Sequence, residues 1–205
     1  RQLERDATTA LQWHADGSLS SASNHSLPQI QRDVSGLATH YKDDERHYIL
    51  RYSPMRRLDV VLDADKTVQK NSHNSAGFRI YTQHYPQELQ QFFLYHEKKL
   101  VAEFTAPFEA KLPIHAAHPV SRRYVYWHDQ PVALIDYEHN PAGELLVMHS
   151  DHLGAVHTIS DQKQQLRWAA RYDTFGRVQS TQGDLTLHLR RAGQYHDMAT
   201  GWHDN

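Results

Sequence analysis

Alternation is the property of this chain that most narrows its fold. Leu166, Trp168, Ala170 and Tyr172 fall on one side of a pleat, and Arg167, Ala169, Arg171 and Asp173 on the other. Leu185, Leu187 and Leu189 alternate in the same way with Thr186, His188 and Arg190. So do Tyr48, Leu50 and Tyr52 with His47, Ile49 and Arg51. A two-residue period turns one side of an extended strand to a core and the other to solvent. Aromatic and β-branched side chains suit such a pleated surface. Between the runs stand turn signals: Asp16-Gly17, Ala76-Gly77, Pro141-Ala142-Gly143, Leu153-Gly154 and Phe175-Gly176. Glycine supplies the positive φ that tight reversals need. Strand, turn, strand recurs with little room for long helices, which predicts an all-β fold of antiparallel hairpins.

One stretch argues the other way. In "YPQELQQFFLYHEKKL" (85–100), Pro86 stands where a helix could start, and Leu89, Phe92, Phe93 and His96 follow at helical spacing. The alternative is a strand over Gln91–Tyr95, a turn at His96–Lys98 and a strand over Lys99–Phe104. The hairpin agrees with the rest of the chain and is the expectation here, with room for a short helical turn at 86–90. Residues 105–121 carry Pro107, Pro113 and Pro119. Proline cannot donate to a ladder, so this segment reads as a loop and as the best internal boundary.

Composition limits the function classes. Of 205 residues, 39% are hydrophobic and 22% charged, and the net charge of −2 gives no field that favours nucleic acid or an anionic membrane. The absence of cysteine excludes disulfides and thiolate zinc sites. No apolar run is long enough for a membrane-spanning helix. Pairs such as Arg56-Arg57, Arg122-Arg123 and Arg190-Arg191 read as solvated strand edges. The 17 histidines would carry the formal charge from −2 to +15 if all were protonated. The simpler expectation is surface strand residues with no switch role. The opening "RQLERDATTA" and the polar ending "TGWHDN" read as cut from a longer chain.

Repeats come next, because they decide architecture. "WHADGSL" (13–19), "NSAGFRI" (74–80), "HNPAGEL" (139–145), "SDHLGAV" (150–156) and "YDTFGRV" (172–178) share a form: a lead residue such as an aromatic or Asn, three intervening positions (two in "NSAGFRI"), glycine, and a polar–apolar exit. "YSPMRRL" (52–58) is a degenerate member with Arg56 in the glycine place. "YDTFGRV" resembles the YD repeat of Rhs (rearrangement hotspot) proteins. Four ordered blocks strengthen the resemblance: "YVYWHDQPVALID" (124–136), "HSDHLGAVHTISD" (149–161), "RWAARYDTFGRV" (167–178) and "GQYHDMATGWHDN" (193–205). "FFLYHEKKLVAEF" (92–104) resembles the hairpin that precedes them.

The resemblance implies YD-repeat hairpins forming part of a curved, shell-like cocoon that encloses a toxic C-terminal domain until delivery. Such shells also occur in Tc insecticidal toxins and teneurins. The flavour here is similar to bacterial polymorphic toxins of interbacterial competition, exported by type VI secretion. The expected organisation is a hairpin region over 1–104, the Pro-rich loop at 105–121, and Rhs-core hairpins over 122–205. The expected structural turn residues are Tyr172, Asp173, Gly176, Arg177, Asp151, Gly154, Gly17, Gly77, Gly143, Gly193 and Gly201. Tyr172 is to stack on a neighbouring hairpin, Asp173 to accept turn amides, Gly176 to permit the reversal and Arg177 to bridge strands. Expected partners are the remainder of the shell, its enclosed toxin, and a secretion or adaptor protein, with no nucleic acid and no cofactor. The family's self-cleavage segment and toxin are expected past Asn205. Trp202 and Asp204 depart from the family's usual Leu and Tyr, and Gln164 stands where the turn "SDQKQ" would in the family have Gly.

Candidate chemistry is sparse. His149, His152 and His157 with Ser150 and Asp151 suggest a metal site or a triad, but neighbours on one strand point apart and cannot converge without a turn. His115 and His118 lie in the Pro-rich loop with no third ligand. Acid pairs such as Asp43-Asp44 and Asp63/Asp65 read as solvated turn brackets. Neither a catalytic nor a metal site is expected. The leading expectation is therefore a structural shell segment. The alternatives are a carbohydrate or cell-surface binding module anchored by Trp13, Trp127, Trp168 and Trp202, and, last, an enzyme.

Overall fold

The computed structural model describes residues 28–109, 120–173, 178–190 and 193–204 in full, and the backbone of 11–13 and 19–22. β1 (Leu11–Trp13) pairs with β2 (Leu19–Ala22) as a two-stranded piece. There follow β3 (Gln29–Arg32), β4 (Ala38–Lys42), β5 (His47–Tyr52), β6 (Leu58–Asp63), β7 (Lys66–His73), β8 (Arg79–His84) and β9 (Leu89–His96). Then come β10 (Lys99–Pro107), β11 (Arg122–Trp127), β12 (Gln130–Asp136), β13 (Glu144–Ser150), β14 (Val156–Ser160), β15 (Leu166–Tyr172) and β16 (Val178–Gly183). β3 to β16 form a 14-stranded antiparallel sheet whose hydrogen-bonded order is chain order. The order is linear, so the sheet does not close into a barrel. β17 (Tyr195–His196) and β18 (His203–Asp204) pair with each other. Among the described residues there is no α-helix.

The chain divides into two compact units within β7, Arg1–Lys70 and Asn71–Asn205. In the first, Tyr48, Leu50, Val61, Leu62 and Val68 are buried. The alternation of β5 places Tyr48 and Leu50 inward and leaves His47 and Arg51 exposed. In the second, a larger core gathers Phe93, Leu100, Tyr124, Leu134, Leu146, Met148, Val156, Ile159, Trp168 and Ala170 from seven successive strands, β9 to β15. Bulges interrupt these ladders at Leu100/Ala102, Val125/Tyr126, His149/Ser150, Ile159/Ser160 and Arg171/Tyr172. Each extra residue bends its strand and increases the local twist, which gives the expected curved sheet its local cause.

The ambiguous stretch at 85–104 is a hairpin. β9 and β10 pair from Lys99↔His96 to Pro107↔Leu89. Glu97 (φ 48°) and Lys98 (φ 67°) make the two-residue reversal with positive φ at both positions, the geometry whose twist matches paired strands. Helical spacing of Leu89, Phe92, Phe93 and His96 is overridden by cross-strand rings, with Tyr81 and Phe92 at 4.6 Å and Phe78 and Tyr95 at 5.0 Å. β10 runs to Pro107, so the first three residues of the Pro-rich segment are strand. Pro113, Pro119, His115 and His118 lie outside the described residues.

Two expectations need correction. Leu185, Leu187 and Leu189 do not form a ladder strand. The one pairing there is an isolated bridge, Leu189↔Tyr195. All three leucines join the large core, and His188 and Arg190, expected on a solvent side, are buried as well. The segment is covered on both sides because it lies over the sheet's apolar face instead of extending its edge. Second, Arg122 and Arg190 are not solvated edge residues. Arg122 is 3% exposed and meets Glu103 at 3.5 Å and Glu138 at 2.7 Å.

Candidate functional site

Two features stand out: the repeated turns, and a polar layer beneath residues 185–204. The turns share one frame. At the first position Asp33, Ser53, Asn74, Asp151 or Asp161 donates its amide to the carbonyl four residues on, at 2.9–3.0 Å. Its side chain caps the loop. Asp151 Oδ1 accepts the amides of Leu153 and Ala155, both at 2.9 Å; Asp161 Oδ1 accepts those of Lys163 and Gln165, both at 2.8 Å; Asp33 Oδ1 accepts those of Ser35 and Leu37. The fourth position has positive φ: Gly36, Arg56, Gly77, Gly143, Gly154 and Gln164. The repeat is thus a physical unit, an acceptor at the first place and a left-handed residue at the fourth. Arg56 (φ 61°) and Gln164 (φ 63°) hold the left-handed place without glycine.

The expected turn residues fall as follows. Gly77, Gly143 and Gly154 occupy the fourth place after Asn74, Asn140 and Asp151. Gly193 (φ 84°) stands at the same place after Arg190, whose amide donates to Gln194. Gly201 (φ 71°) donates its amide to Asp197 at 2.8 Å. The Tyr172 hydroxyl donates to the Val156 carbonyl at 2.7 Å, and its ring meets His157 edge-on at 5.1 Å. Asp173 follows β15. Gly17, Gly176 and Arg177 lie outside the described residues. Burial pushes the Asp151 carboxyl up, but the amides of Ala155 and Leu153 and the His157 ring outweigh it and hold it below the ordinary range. Of the suspected histidine set, His157 lies 3.3 Å from Asp151 and His149 lies 3.0 Å from Ser160 Oγ.

The polar layer is what sequence reasoning missed. Glu103 on β10 accepts from Tyr195 at 2.6 Å and from Tyr124 at 3.1 Å, with Arg122 at 3.5 Å. Gln91 Nε2 donates to the Tyr195 hydroxyl at 3.2 Å and its Oε1 meets His84 at 2.7 Å. Arg79 donates to Asp197 at 2.7 Å, both about 96–97% buried at the side chain, and meets Asp204 at 3.2 Å. Asp197 also caps its own turn through the amides of Ala199 and Thr200. Burial works against the Arg79 charge, but Asp204 and Asp197 offset it and its pKa rises. Burial pushes the Asp197 carboxyl up; Arg79 more than compensates and keeps it ionised. Burial lifts the Tyr124 and Tyr195 phenols well above their usual value, and Glu103 adds to this. A charged residue in phase with apolar ones on a half-buried strand, such as Arg122 before Tyr124, was the available signal. Its partners lie 92 to 118 residues away for the Tyr195–Glu103 and Arg79–Asp197 pairs, and no local pattern names them.

Asp136, Glu138 and His139 bring one ligand atom each within 4.8 Å of one another. Asp136 already meets His139 at 2.6 Å and the Glu138 amide at 2.9 Å, and Arg122 takes Glu138 at 2.7 Å. An arginine on one of the three carboxylate or imidazole groups competes with a cation for the same lone pairs.

No family model matches the chain. In sequence it is 30% identical over 92 residues to Double-stranded DNA deaminase toxin A of Burkholderia cenocepacia (strain H111). The match takes in 42% of this chain and 6% of that protein, so the chain spans a small fraction of its relative. Among solved structures it is similar to the crystal structure of TcdB2-TccC3-TEV, at 12% identity and a TM-score of 0.43 over 74% of this chain and 9% of that one. It is also similar to the Photorhabdus luminescens Tc holotoxin pore, at 13% identity and a TM-score of 0.39 over 96% of this chain and 8% of that one. The chain thus has sequence similarity to a stretch of a toxin.

Proposed function

We propose that this chain is a structural segment of an Rhs-type toxin wall, without catalysis of its own, that helps enclose a C-terminal effector in the producing bacterium until export. The observation that carries this reading is the sheet order. Among the described residues, strands β3 to β16 pair only with chain neighbours, and the order ends in two edges, β3 and β16, with no described partner strand beyond them. The β16 edge, Val178–Gly183, is exposed over five of its six residues and carries no charge, proline or bulky guard. Isolated proteins protect such edges, because they pair with any available strand. A wall needs no protection there, since the next hairpin covers each edge. Similarity over 92 residues to a toxin supports the same reading. Size-exclusion chromatography of the 205-residue chain tests it. Self-association or poor solubility is expected, and a stable, soluble monomer at tens of micromolar contradicts it.

One observation favours a second reading. Trp127 is 70% exposed beside His128 at 5.2 Å, the arrangement of a ring offered to a sugar or a surface partner. Trp168, by contrast, is 2% exposed and serves packing. Glycan-array binding that disappears in Trp127→Ala with the fold intact would favour a binding module.

A further inference from the structure

The segment Leu185–Asp204 carries three histidines, and a fourth lies beneath it on β8. His188 stacks on Tyr195 at 5.5 Å and on His196 at 6.3 Å, and His196 lies 5.6 Å from His203. His84 Nδ1 lies 3.9 Å from Asp197 Oδ1. The Nδ1 of His188 and Nε2 of His203 are buried without a hydrogen-bond partner among the described residues. The charged groups around them come from every packed strand. β8 supplies Arg79, held by Asp197 and Asp204. β10 supplies Glu103 and β11 Arg122, which meet each other. β9, β11 and β15 supply the phenols of Tyr95, Tyr124 and Tyr172, all raised by burial and therefore neutral. The segment itself supplies Arg190. Its guanidinium sits 5.7 Å over Trp168 and donates to the carbonyls of Leu187 and Leu189. No described carboxylate pairs with it.

Arg190 is therefore a buried positive charge with no counter-ion among the described residues, beside three neutral imidazoles. We propose that residues 185–190 and 193–204 are an acid-released strap: protonation of His188 and His196 places further positive charge against Arg190 and Arg122 and lifts these residues from the sheet face, while the ladder of β12 to β15 stays paired. The strap acts whether or not the sheet encloses a toxin.

The direction follows from proton linkage. Burial, with Arg122 and Arg190, holds His188 at about 3; burial, with Arg190 and the neighbouring rings, holds His196 at about 4. His203 is lowered by burial and Arg190, and His84 by burial. Asp197 attracts protons to these rings but is the weakest influence on His188 and His196 and is committed to Arg79. A base whose folded pKa is depressed gives its full stability above the unfolded value near ~6.5, and loses it as pH falls toward the folded value. At pH ~5 the released segment is favoured about 30-fold per imidazole, the ratio set by 1.5 units below ~6.5.

Hydrogen exchange of the 205-residue chain at pH 7.5, 6.0 and 5.0, corrected for intrinsic rates, tests the strap. Amides of 185–204 should exchange at least 30-fold faster at pH 5.0 than at 7.5, and those of β12 to β14 should change several-fold less. The double variant His188→Phe/His196→Phe should lose most of that response, and His149→Phe, on the exposed side of β13, should keep it. Far-UV circular dichroism at pH 7.5 reports whether the double variant folds; if it does not, the wild-type series decides alone. An unchanged 185–204, exchange that rises equally across β12 to β14, or a full response in a folded double variant overturns the proposal.

Discussion

The hairpin ladder and the segment after it use the same two-residue period to different ends. In β15 the period sets Trp168 and Ala170 in the core and leaves Arg171 exposed. In Leu185–Arg190 it sets three leucines in the same core, but His188 and Arg190 are buried too. The ladder satisfies its backbone strand to strand and places side chains on a wet and a dry side. The later segment makes one bridge and lies on the dry side, where Arg190 meets the Leu187 and Leu189 carbonyls and, further along, Tyr195 and Asp197 take partners from the distant strands β10 and β8. Local rules suffice for the first; the second depends on tertiary pairing.

Breaking each kind of element separates them. The largest effect is expected in the polar layer. Arg79→Ala leaves Asp197 buried without its cation, at a cost of about 3–5 kcal/mol, read by urea denaturation. Replacing Arg79 and Asp197 together by apolar residues should cost much less. Leu134→Ala, in a residue fully buried on β12, should cost about 2–5 kcal/mol through lost burial and a cavity. It should destabilise the ladder without changing the acid response of 185–204. Gly143→Ala acts on a turn. Its φ is 86°, and a Cβ would lie 2.8 Å from Tyr137 Cε1. A loss of about 1–2 kcal/mol in thermal unfolding is expected. Gln164→Gly should do the reverse. It releases a left-handed strain of about 1 kcal/mol, partly offset by glycine's entropy, for a net gain of about 0.5 kcal/mol. A Gln164→Gly variant less stable than wild type would contradict the shared turn frame.

These differences also explain what the residues disclosed in advance. The strands, a hairpin over 91–104 that the structure extends to 89–107, and the special place of Arg56 were legible because period and turn chemistry are local, while the place of Gln164 came from the resemblance. The true unit of the repeat was half legible. Glycine was visible, but the capping acceptor three places earlier is shared by Asp, Asn and Ser and so looks degenerate. The bonds of Glu103 and of Asp197 with Arg79 were not legible. Alternation names a face, not the strand that covers it, and Leu185–Leu189 shows how an alternating run can lie on a sheet without joining it. Asp204, a departure from the resembled pattern, reappears as a partner of Arg79 at 3.2 Å.

The proposed enclosure is tested most directly by limited proteolysis of a polypeptide in which this segment is followed by a toxin effector domain. With the wall intact, the downstream portion should resist protease at concentrations that digest it when expressed alone, and Leu134→Asp should expose it. Equal cleavage of the downstream portion with and without the wall would contradict enclosure.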